Sequence, residues 1–100
     1  MHTIEYYLDL AIDSQQRLLA SLEEDSLDFD ARAERDLALG EIRSRGVTWE
    51  ESERYREKIN LIVRLEQEVI QTIQAQQQRI AEQINVSRQR SKAAGVYASA

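Results

Sequence analysis

Apolar residues recur at intervals of three and four along most of this chain, and nowhere do they alternate with polar ones for long enough to mark a strand. The longest such run follows Gly46 and meets no glycine or proline before Gly95. Along it Tyr55, Ile59, Ile62, Glu66, Val69, Ile73, Gln76, Ile80 and Ile84 form a helical seam with polar interruptions at Glu66 and Gln76. Leu61, Val63, Leu65 and Ile70 broaden the seam in its middle, and it thins beyond Ile73. Thr48-Trp49-Glu50-Glu51 reads as a capping box that opens this helix, predicted over 48–92. Unbroken, it spans roughly 65 Å at 1.5 Å per residue.

Two shorter helices precede it. Thr3 is placed to cap the first, predicted over 3–22, whose apolar face is Ile4, Leu8, Ala11, Ile12, Leu18, Leu19 and Leu22, with Gln15 on the same stripe. The run Glu23-Glu24-Asp25-Ser26 breaks the pattern as an acidic turn. Ser26 or Asp28 caps the second helix, predicted over 28–45 and stopped by Gly46, with Phe29, Ala33, Leu37, Leu39 and Ile42 as its apolar residues. Small Ala33 and Gly40 are expected to let a neighbouring helix approach closely. Short connections make consecutive helices antiparallel. The expected fold is therefore all-α, a single domain over 1–100 built as a three-helix antiparallel bundle with a long C-terminal helix. The long helix packs along both shorter ones, about half of it overhangs, and the tail 93–100 is flexible. Trp49, Phe29 and Ile42 are expected to cluster at one end of the bundle.

Composition sharpens this picture. Charged residues make up 31% of the chain, proline and cysteine are absent, and a helical reading follows. Without cysteine there is no disulfide framework or thiolate nucleophile, and a cytoplasmic location is the expectation. No apolar run approaches the roughly 18 residues of a membrane span. Charge is unevenly spread: residues 1–30 carry eight acids against Arg17 alone, whereas 61–100 carry five bases against three acids. The acidic half argues against nucleic acid as a partner.

Little here assembles into catalytic chemistry. There is no phosphate-binding glycine loop, the one histidine is His2, and Asp28-Phe29-Asp30 fails as a calcium loop because Arg32 takes its fifth position and no glycine follows. No cofactor, metal or catalytic residue is expected. The run from Ile12 to Leu22 is faintly similar to the first helix of the AroQ-type chorismate mutases, but it carries Arg17 as its one cation where a dicarboxylate substrate requires several. Trp49-Glu50-Glu51 lacks the glycine of the small WXG helical hairpins.

A fuller resemblance covers residues 5–97. An acidic first helix, Asp28-Phe29-Asp30, Arg35 leading into Leu39 and Ile42, and a long helix ending in Arg90-Ser91-Lys92-Ala93-Ala94-Gly95-Val96-Tyr97 together resemble the FliT-type flagellar export chaperones and the related FlgN type. Phe29 stands where that family usually has tryptophan. The resemblance implies a cytoplasmic, non-enzymatic chaperone for type III protein export in flagellum biogenesis. Its partner is then the C-terminal helical segment of an exported flagellar subunit, such as the filament cap protein.

The overhang supplies a surface for such a partner. Ile73, Ile80 and Ile84, with Gln77 between them, are the expected partner-binding residues, because the first two helices are too short to reach them. The alternative use of the same stripe is self-association as a coiled-coil homo-oligomer, which makes the chain a structural or adaptor protein.

Overall fold

The structure, a computed structural model, describes the backbone of residues 2–99 and the side chains of 2–92. It is all-α, with no strand among the described residues. Helix α1 spans Ile4–Glu23, α2 Phe29–Arg45, α3 Trp49–Arg54 and α4 Arg56–Ser99.

Local chemistry sets most of these ends. The Thr3 hydroxyl accepts from the Tyr6 amide at 3.2 Å and begins α1. The acidic turn is tied by Ser21, whose hydroxyl accepts from the Asp28 amide (3.1 Å) and whose carbonyl accepts from the Ser26 amide (2.9 Å). Asp28, rather than Ser26, then caps α2 by accepting from Ala31 N–H at 2.9 Å. Gly46 closes α2 at φ 72°, its amide donating to Ile42 O. Both halves of the capping box at Thr48 and Glu51 are present, each at 3.1 Å.

The long helix departs from expectation in two places. Tyr55, at φ −109° and ψ 24°, separates α3 from α4, although Tyr55 N–H still reaches Glu51 O and its carbonyl still receives Ile59 N–H, both at 2.9 Å. No glycine or proline marks that break. At the other end α4 runs on to Ser99, seven residues past the expected end at 92, with Ala100 outside the described residues. Alanines favour the helix, and Gly95 alone costs only about 1 kcal/mol against alanine.

The central helix is α1, not the long one. It lies against both α2 and α4, whereas among the described residues no Cα of α2 comes within 8 Å of a Cα of α4. Contacts such as Lys58–Asp9 (2.7 Å) near one end and Arg79–Asp25 (3.3 Å) at the other make α1 parallel to α4, with α2 antiparallel to both. Leu8, Ala11, Ala38, Leu39 and Ile62 form one buried cluster, and Leu18, Leu22, Ala31 and Val69 the other. Between them sit fully buried Ser14 and Gln15. Gln15 donates to Ile62 O and accepts from Arg35 Nε, both at 3.4 Å, so this polar layer is satisfied. The seam's own polar interruptions are also answered: Glu66 meets Arg43 at 3.4 Å and Arg35 at 3.8 Å, and Gln76 donates to Leu22 O at the end of α1. At the surface, the hydrogen bond from Lys58 to Asp9 raises the lysine pKa above its ordinary value, partly opposed by desolvation.

The face of α2 is rotated relative to the sequence reading. Of the expected apolar residues Leu39 is buried and Ile42 packs against the core, but Ala31 and Ala38 complete the buried face while Phe29, Ala33 and Leu37 point to solvent, Phe29 with 71% of its surface exposed. Close approach to α1 needs small side chains, and Ala31 and Ala38 provide them in place of Ala33 and Gly40; a Cβ on Gly40 would meet nothing within 4 Å. The pairs Arg17–Glu34, Arg35–Glu66 and Arg43–Glu66 hold the same rotation.

The expected cluster of Trp49, Phe29 and Ile42 does not form. Phe29 opens α2 and Trp49 lies beyond its far end, so 17 residues of helix, roughly 25 Å, separate them. Ile42 packs into the first core cluster instead. Trp49 is 78% exposed, and the folded protein is expected to emit as a fully hydrated indole. A blue-shifted maximum that moves red on unfolding would contradict this placement.

Candidate interaction surface

The acidic turn between α1 and α2 lies level with Gln76 and Arg79 of α4, through Gln76–Leu22 and Arg79–Asp25. Beyond Arg79 the 20 residues 80–99 of α4 continue for about 30 Å, and the molecule measures 74 × 22 × 22 Å. Every described side chain from 77 to 92 is exposed.

Each of the four expected partner-binding residues lies on this open face. Ile73 sits at its root beside α1 and α2, 38% exposed, while Gln77, Ile80 and Ile84 lie at or beyond the level of the turn. Ile80 is the most open of the three isoleucines, at 56%.

Two further members of the surface, Val63 and Ile70, look from the sequence like inner broadening of the seam. Both are nearly half exposed. A signal for them exists in the spacing, because Val63, Ile70, Gln77 and Ile84 recur every seven residues beside a second heptad row, Glu66, Ile73 and Ile80. What the sequence does not reveal is that α2 stays too far from α4 to cover them. The gap is an open groove of about 890 Å³, floored by Leu18, Leu22 and Val69 and walled by Leu27, Arg32, Arg35 and Asp36 on one side and Ile70, Ile73 and Ile80 on the other.

Apolar floor, charged rim and helical length suit this groove to an amphipathic helix laid beside α4. Its electrostatics lean positive on the α2 wall, where Arg32 has no ion pair among the described residues, and on α4 beyond the turn, where Arg88, Arg90 and Lys92 outnumber Glu82. Among the described residues no group of three or more His, Cys, Asp or Glu side chains is placed to hold a metal ion, and no helix is long and apolar enough to cross a membrane.

Compared with known proteins, the chain matches no family model, no curated protein and no solved structure.

Proposed function

We propose that this protein is a non-enzymatic helix-binding chaperone, which holds an amphipathic helical segment of a partner against the stripe Val63–Ile70–Ile73–Ile80–Ile84. The observation that carries this reading is the stripe itself, exposed from Val63 to Ile84, with Ile70, Ile73 and Ile80 lining the α2–α4 groove and no described side chain covering it. Burying one such isoleucine contributes roughly 1.5–3 kcal/mol, so several together offset the cost of ordering a partner helix. In this reading α1, α2 and the proximal part of α4 make a three-helix bundle that positions the stripe, and the partner supplies a fourth helix.

The resemblance of residues 5–97 to FliT-type chaperones supports a more specific version. The partner is then the C-terminal helical segment of an exported flagellar subunit such as the filament cap protein, held in the cytoplasm before export. Titration calorimetry with synthetic peptides of those segments tests it. Saturable binding is expected, with Ile80→Glu reducing affinity at least about tenfold, because a carboxylate then has to be buried against the partner. Failure of every exported-subunit peptide to bind would overturn the flagellar version. Binding unaffected by Ile80→Glu would overturn the stripe.

A further inference from the structure

We infer that, when no partner is present, the stripe is occupied by a second copy of the same chain, in an antiparallel dimer that places the distal part of each α4 in the α2–α4 groove of the other. The dimer does not depend on any partner, though its sense as a resting state rests on the chaperone reading.

Three observations select this occupant and its direction. The first is length. Each groove takes in α4 from Val69 to Gln83, and α4 continues beyond it to Ser99, with every described side chain from 84 to 92 exposed. An antiparallel pair fills both grooves at once, and a parallel pair fills neither.

The second is the apolar register. Centring the pair on residue 82 sets Ile80 against Ile84 of the second copy twice over, Gln77 against Ser87 of the second copy, and Ile73 against Ser91 of the second copy. Each layer joins the two heptad rows in the a-to-d pairing that antiparallel helices need, and no charged side chain enters the seam.

The third is charge. In this register Arg88 and Arg90 of the second copy, at the edges of its seam, arrive level with residues 76 and 74. That is the level of the acidic turn, fixed by Gln76–Leu22 and Arg79–Asp25. There Glu23 and Glu24 have no ion pair among the described residues, and Asp25, Ser26 and Leu27 line the end of the groove. The basic end of α4 thus meets the acidic α1–α2 turn of the other copy, a complementarity confined to the turn end of the groove, since Arg32 and Arg35 stand on its α2 wall. A parallel pair brings the basic ends together instead.

Because dimer and partner use the same isoleucines, the two are mutually exclusive. A partner helix has to displace the second copy, and the apparent affinity for the partner falls as chain concentration rises.

Equilibrium sedimentation of the full chain, with no partner added, tests the dimer. A monomer–dimer equilibrium is expected with Kd at or below about 10 µM in low salt, weakening at least about tenfold between about 0.05 and 0.5 M salt. The double variant Arg88→Glu/Arg90→Glu should weaken the dimer at least about tenfold, and adding Glu23→Lys/Glu24→Lys to the same chain should restore it, because both copies then carry the reversed pair. Circular dichroism of each variant, matched to the parent, shows that the monomer fold is kept. A chain that stays monomeric at about 100 µM would overturn the proposal, as would dimerisation indifferent to the charge reversal or not rescued by the second one. Peptide binding is measured separately on the charge-reversed monomer, so failure of the dimer and failure of the chaperone reading give different results.

Discussion

Leu8→Ala is expected to lower the unfolding free energy by about 2–5 kcal/mol, a large share of the roughly 5–15 kcal/mol that holds a small domain together. Leu8 is 1% exposed and sits on α1, the helix that touches both neighbours, in a cluster with Ala11, Ala38, Leu39 and Ile62. Two of those neighbours are alanines on abutting backbones, which cannot move far to fill the space left. Leu37→Ala removes the same atoms from the outer face of α2, where the side chain is more than half exposed, and should change stability by no more than about 0.5 kcal/mol. Chemical denaturation of the two variants checks the rotation of α2 directly. Equal losses would mean that the Leu37 face is the buried one.

The second large effect belongs to the glycines. Gly46 has φ 72° and ψ 168°, a region closed to residues with a Cβ, so Gly46→Ala is expected to cost about 1–3 kcal/mol although the space around it is open. Gly40 lies inside α2, and a Cβ added there would meet nothing within 4 Å, so Gly40→Ala should stabilise by about 0.4–1 kcal/mol. Opposite signs from one substitution type, read in the same denaturation experiment, separate backbone strain from side-chain packing.

Much of the fold is legible in the sequence because its signals are local. Thr3, Asp28, Gly46 and the Thr48–Glu51 box each act within four residues, and the structure places all of them at helix ends. The rotation of α2 is only partly legible: Leu39 and Ile42 read as core and are, but Phe29, Ala33 and Leu37 make a better apolar stripe on paper than Ala31 and Ala38. Close helix contact favours small residues, and the arginine–glutamate pairs that hold α2 in place are long-range. The same gap hides the centrality of α1, because two of its fully buried positions, Ser14 and Gln15, are polar and do not broaden its apolar stripe. The candidate surface is half legible. Ile73, Gln77, Ile80 and Ile84 follow from helix lengths, while Val63, Ile70 and the α2 wall depend on a helix–helix distance that no sequence period encodes.

Ile80→Glu tests most directly whether the distal stripe of α4 is free in the monomer and serves contact with other helices rather than the fold. Its stability is measured by chemical denaturation at a concentration where the parent chain is monomeric, beside Val69→Glu as the buried reference. Val69 is 1% exposed between α1 and α2, and a carboxylate there should remove several kcal/mol or unfold the chain. Ile80→Glu should leave helicity unchanged and alter the unfolding free energy by no more than about 0.5 kcal/mol. A loss of several kcal/mol for Ile80→Glu would mean that the fold itself covers the stripe, and would contradict the account.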